Sequence, residues 1–105
     1  MNSIVRPDIT LEERWDAAGR ETLLTGTQAL VRLPLVVRQL DAAAGLDTAG
    51  FISGYRGSPL GGFDRELAKQ HKRLQAQQIH FEPGLNEDLA ATACWGTQQV
   101  GLYPN

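Results

Sequence analysis

The sequence predicts an α/β fold: a parallel sheet built by alternating strands and helices. Three observations carry that expectation. Short apolar runs ending in glycine or proline alternate with longer stretches of helical periodicity. The stretches between the strand-like runs are long enough for crossover helices, which implies parallel strands with right-handed connections. The glycine-dense segment GYRGSPLGG, residues 54–62, falls after a strand and before a helix, where such folds place their binding residues.

Taken in order, residues 1–10 read as an N-terminal arm and 11–105 as the folded part. Thr10-Leu-Glu-Glu13 spells a capping box for a short helix through about Ala18. Residues 21–25 read as a brief strand. Gly26-Thr27 then enters a helix whose apolar positions Ala29, Leu30, Leu33, Val36, Val37 and Leu40 predict one buried face. Pro34 removes a backbone donor and crowds the preceding turn, so the helix should kink there or begin in earnest there. Gly45 suits a left-handed stop.

Residues 48–53 (TAGFIS) form an apolar run expected of a strand covered on both faces. After the 54–62 turn, residues 63–77 alternate charge with Leu67 and Leu74 and predict one surface helix with a narrow apolar stripe. Residues 79–82 are the next strand. Pro83-Gly84 turns the chain, and Asn86 caps a last helix whose Ala90, Ala91, Ala93 and Gly96 allow close packing on a sheet.

Composition narrows the function classes. At 105 residues, 42% apolar and 21% charged, the chain supports one modest core. The net charge of -2 is spread among interspersed acids and bases, which argues against nucleic-acid or membrane-surface partners. The single cysteine, Cys94, can form neither an internal disulfide nor a cysteine-rich metal or iron–sulfur site, which fits a reducing compartment and predicts a cytoplasmic protein. No signal pattern opens the chain, and no apolar run approaches the roughly 20 residues that span a bilayer. Three predicted strands are few for a covered parallel sheet, so the sequence is expected to be part of a longer one.

The 54–62 turn is neither of the familiar phosphate loops. It lacks G-x-G-x-x-G, and Phe63-Asp64 stands where a Walker loop carries Lys-Ser/Thr. Two readings remain: a tight structural turn, or a binding edge whose main chain approaches a ligand and whose amides favour an anion. Ser58 and Pro59 resemble an N-cap and first helical residue. Arg56 has the donors to hold a carboxylate or phosphate, or it forms a surface salt bridge. In the second segment, Glu82-Pro-Gly-Leu-Asn86-Glu87-Asp88, two acids sit at a helix start, where the macrodipole favours negative charge.

The strings LLTGTQALVRLPL, TAGFISGYRGSPLGGFD and FEPGLNEDLAATACWGTQQVGLYP resemble the N-terminus of the fused indolepyruvate ferredoxin oxidoreductases, a branch of the 2-oxoacid:ferredoxin oxidoreductases. The likeness runs from about Leu11 onward. It implies the N-terminal part of a pyrimidine-binding domain for thiamine diphosphate, inactive alone. Magnesium would be bound by a domain elsewhere, and the iron–sulfur clusters would lie outside this chain.

By that resemblance Glu87 is the catalytic carboxylate that meets N1′ of the aminopyrimidine and so promotes removal of the thiazolium C2 proton. Gly57, Pro59 and Asn86 join it in cofactor binding, and Ser58 takes the position of a substrate-contacting hydroxyl. Arg56, also a substrate-binding candidate, replaces a proline of the wider pattern, so it inherits no role from it. The implied partners are a 2-oxoacid such as indolepyruvate or another aryl pyruvate, coenzyme A, ferredoxin, and the remainder of the polypeptide or partner subunits. The complete protein is expected to be a homo-oligomer. The rival reading is a stand-alone small α/β module that binds an anionic metabolite at the 54–62 turn.

The other reactive residues read as structural. His71 is solvated, His80 a packed or edge histidine, and Cys94 a small buried hydrophobe. Trp15 and Trp95 pack a core or an interface. Asp88 is a cap, and Asp64 has no stronger claim.

Overall fold

Two parallel strands lie at the centre of the chain, joined by a helical crossover. The structure, a computed structural model, describes residues 11–17, 23–99 and 101–102. A 3-10 helix at Leu11–Trp15 comes first, followed by α1 (Gly26–Ala43), β1 (Gly50–Ile52), α2 (Gly61–Lys69), α3 (His71–Ala76), β2 (Ile79–Phe81) and α4 (Glu87–Thr97). Gly50 lies opposite Ile79, Phe51 opposite His80 and Ile52 opposite Phe81. The fold is mixed α/β around a small parallel sheet, as the alternation predicts.

The strand expected at residues 21–25 is not formed where the structure describes it: Leu23, Leu24 and Thr25 are irregular. Residues 21 and 22 lie outside the described residues. Thr25 is instead the N-cap of α1. Its Oγ1 accepts from the Gln28 amide at 3.1 Å, and Gln28 Oε1 accepts from the Thr25 amide at 2.9 Å. This reciprocal box engages the Thr25 amide in capping, and so removes it from any strand ladder.

The arm 1–10, with the box at Thr10, lies outside the described residues, as does Ala18. The helix expected after it is a single 3-10 stretch, tied to α1 by the Gln39 carboxamide. Gln39 donates to the Trp15 carbonyl at 3.0 Å and accepts from the Ala17 amide at 2.7 Å. These bonds satisfy main-chain groups that a short helix leaves without partners, and Trp15 is delivered into the core.

Helix α1 runs from Gly26 through Pro34 to Ala43, so it does not begin at the proline. Its end is a Schellman turn. Gly45 adopts φ +81°, its amide donates to the Ala42 carbonyl at 3.0 Å, and the Leu46 amide donates to the Asp41 carbonyl at 2.8 Å.

The buried face of α1 differs from the expected one. Val31 and Leu35 are buried, whereas Leu30, Leu33, Val37 and Leu40 are between 44% and 60% exposed. The helix has apolar residues on both sides, and periodicity alone does not say which side meets the core. Val31 and Leu35, one turn apart, share the face that packs on α2 and on Trp15.

Trp15, Val31, Leu35, Leu67, Leu74 and Ile79 form the core, with Ile52, Phe63 and Phe81 packed against it. Leu67 and Leu74 are buried, as their stripe requires, but on two helices instead of one. Gln70, at φ −97° and ψ 20°, leaves helical geometry and separates α2 from α3. After α3, Gln78 takes a left-handed φ of 59°. Its side-chain amide donates to Asp47 Oδ1 at 2.9 Å and to the Thr48 carbonyl at 2.8 Å, while its carbonyl accepts from the Gly50 amide at 3.0 Å. β1 is half-buried along its length, less covered than its apolar sequence predicts.

Candidate functional site

Parallel pairing continues past the strands and brings the two predicted segments together at their carboxyl ends. The Glu82 amide donates to the Ile52 carbonyl at 2.9 Å and the Gly84 amide to the Gly54 carbonyl at 2.8 Å. Tyr55 and Gly84 form a parallel bridge, and Ser53 Oγ donates to the Glu82 carbonyl at 2.7 Å. The 54–62 turn therefore lies beside the loop that opens α4.

Gly84 permits that loop to be tight. A Cβ there would sit 2.9 Å from the Ala90 Cβ and 3.2 Å from the Asn86 carbonyl oxygen, so α4 approaches as closely as it does because the side chain is absent. Asn86 caps α4 as predicted: extended at φ −159°, ψ 175°, it accepts from the Leu89 amide through Oδ1 at 2.8 Å. Its Nδ2 donors stay available. Glu87 and Asp88 occupy the first turn and are exposed. The Glu87 carboxylate makes no hydrogen bond or ion pair among the described residues, which leaves both oxygens free to accept.

The turn itself is built in two steps. The Ser58 amide donates to the Tyr55 carbonyl and the Gly61 amide to the Ser58 carbonyl, each at 3.1 Å. Ser58 Oγ accepts from the Leu60 amide at 3.2 Å. Helix α2 consequently starts at Gly61 with Leu60 as its N-cap and no side-chain cap, so Ser58 and Pro59 are neither N-cap nor first helical residue. Two successive turns displace the helix start past them. A Cβ on Gly61 would lie 2.8 Å from the Arg56 carbonyl oxygen, which fixes glycine at the point where the turn folds back on itself. Gly57 and Pro59 are exposed on the outer loop, with Ser58 half-buried between them.

Arg56 is exposed and makes no ion pair among the described residues. It borders a cavity of about 360 Å³ with Gly61, Asp64, Arg65, Ala68 and Phe81. Asp64 is the residue that sequence reasoning passed over. It is 8% exposed, and its Oδ2 has no hydrogen-bond partner. The available signal was its place three residues before Leu67, which sets an acid on the buried stripe of α2. A larger cavity, of about 450 Å³, lies between the 3-10 helix, α1 and α3, away from the strand ends. Two of its charged wall residues, Glu12 and Arg73, pair with each other.

The remaining residues fall mainly into structural places. His80 is exposed on β2, where Nε2 lies 3.0 Å from Glu82 Oε2 and the ring stacks on Phe51 with centroids 5.7 Å apart. His71 is exposed and Cys94 half-buried. Trp15 belongs to the core, but Trp95 stands 67% exposed on α4. Among the described residues, no group of three His, Cys, Asp or Glu could hold a metal ion, and no helix is long and apolar enough to cross a membrane. Compared with known proteins, the chain matches no family model, and neither the curated proteins nor the solved structures gave a match.

Proposed function

We propose that this chain supplies the pyrimidine-facing half of a thiamine diphosphate site in a 2-oxoacid:ferredoxin oxidoreductase. The substrate would be indolepyruvate or another aryl pyruvate, oxidatively decarboxylated with coenzyme A and ferredoxin. The observation that carries this reading is the side-by-side placement of the 54–62 turn and the Asn86–Glu87 helix start at the ends of adjacent parallel strands.

The residues present suit such a group. Glu87 offers an unengaged, exposed carboxylate at the first turn of α4. In this reading Glu87 holds a proton at N1′ of the pyrimidine, and the Asn86 amide group, fixed by its capping bond, donates beside it. The exposed main chain at Gly57 and Pro59 would help hold the cofactor from the turn. Ser58 Oγ already accepts from Leu60, so its own hydrogen is free to donate to a substrate carboxylate. Arg56 neutralises that carboxylate without rigid orientation, being exposed and unpaired. When bound, thiamine diphosphate supplies the carbon acid and electron sink that no side chain provides. The iron–sulfur clusters require several thiolates and belong elsewhere in the assembly, since the chain has one cysteine.

The deciding experiment is Glu87→Gln in the complete enzyme. Turnover of aryl pyruvates is expected to fall by about a hundredfold or more while cofactor binding and melting temperature hold, because the amide cannot exchange the proton. Unchanged turnover would remove Glu87 from the mechanism.

A further inference from the structure

We propose that the cavity bordered by Arg56, Asp64, Arg65 and Phe81 binds a small zwitterion of the α-amino acid class. Arg56 and Arg65 take its carboxylate, Asp64 takes its ammonium, and an apolar side chain lies against Phe81. The site requires neither a cofactor nor Glu87. Arg56 is the one residue it shares with the function proposed above.

The argument starts from Asp64. A carboxyl group shut away from water is costly unless a donor meets it. Asp64 is 8% exposed, its Oδ2 lacks any hydrogen-bond partner, and no ion pair satisfies it among the described residues. Two arginines, Arg56 and Arg65, line the same cavity, and among the described residues neither pairs with the acid. The result is a space lined by a buried acid with an unsatisfied oxygen and by two permanently charged arginines.

The ligand class follows from this layout. A simple anion would gather the arginines but leave Asp64 unsatisfied and repelled. A simple cation would meet Asp64 but face two guanidinium groups. A dipolar molecule satisfies both walls, with charge-assisted hydrogen bonds at each end. The volume of about 360 Å³ falls at the small end of small-molecule sites, the size for an amino acid and not a nucleotide. Phe81 and Ala68 add apolar wall, so a side chain of aromatic or aliphatic type fits better than a charged one.

Calorimetric titration of the full chain with L-phenylalanine tests the site, alongside N-acetyl-L-phenylalanine, which lacks the ammonium, and L-phenylalaninamide, which lacks the carboxylate. Saturable binding of phenylalanine is expected, with each derivative weaker by about tenfold or more, the scale of one hydrogen bond to a charged group. Asp64→Asn should weaken phenylalanine by about tenfold and leave the N-acetyl derivative unchanged. Arg65→Ala should weaken phenylalanine and the N-acetyl derivative together and leave the amide unchanged. Glu87→Gln should alter none of these affinities, which separates this site from the thiamine proposal. No saturable heat with phenylalanine, or equal binding of the parent and both derivatives, overturns the site. If Asp64→Asn does not fold by circular dichroism, Arg65→Ala and the two derivatives decide the matter on the same terms.

Discussion

Helices α2 and α4 each follow a strand end, yet they are held in opposite ways. α2 inserts Leu67 fully into the core and packs along α1. α4 buries Ala90 alone and leaves Leu89 and Trp95 more than half exposed. Its position depends on a side-chain cap at Asn86 and a close main-chain approach at Gly84. The contrast separates two tasks: the α1–α2–α3 seam supplies the apolar burial that stabilises the chain, while α4 presents the Glu87 carboxylate on a helix placed by a few local contacts. An exposed residue on such a helix, the candidate Glu87 among them, can be altered with little effect on the fold.

Substitutions can break or sharpen that contrast. The largest effect on stability is expected for Leu67→Ala, which empties a fully buried position and should cost about 2–5 kcal/mol in urea unfolding. A cost as small as that of an α4 surface change would mean that the seam is not where stability resides. Gly84→Ala should cost about 1–3 kcal/mol, because the new methyl group meets Ala90 within van der Waals distance. Combining it with Ala90→Gly should recover part of that loss, and strict additivity in the double-mutant cycle would show that the two positions do not touch. Asn86→Ala removes one cap and should cost about 1 kcal/mol, read from the same transitions. Trp95→Ala, on the exposed face, should change stability by no more than about 0.5 kcal/mol. A larger loss there would give α4 a packing role that its exposure denies.

What was legible in the sequence is the chemistry that acts over a few residues. The Asn86 cap and the left-handed Gly45 depend on short-range signals, the parallel pairing of the two strands follows from the alternation of elements, and the structure shows all three. The meeting of the two strand-end segments followed from topology. Where local signals compete, the reading failed. ETLLT has a strand-like composition, yet Thr25 with Gln28 is also a capping box, and the reciprocal side-chain bonds prevail. Along α1 the apolar residues occupy two sides, and only the arrival of α2 and Trp15 selects Val31 and Leu35. Ser58-Pro59 carries the composition of a helix start, but the turns closed by Ser58 and Gly61 postpone that start. Asp64 was missed because an acid in the first turn of a helix reads as a partner for the helix dipole, although its place three residues before Leu67 sets it on the buried side of α2.

Gln78 helps fix the register of the two strands that carry the candidate site. The ladder is three residues long and ends in the isolated Tyr55–Gly84 bridge, and so short a run does little by itself to fix alignment. The Gln78 amide reads the position of Asp47 and Thr48, on the approach to β1, immediately before β2 begins. A slip of one residue would break both of those bonds and exchange Ile79 with His80 between core and solvent. Because Tyr55 and Gly84 lie just downstream of the same two strands, the relation between the 54–62 turn and Glu87 is counted from this glutamine. A polar residue at the opposite end of the sheet thus acts as the origin from which the distance between the two strand-end segments is measured.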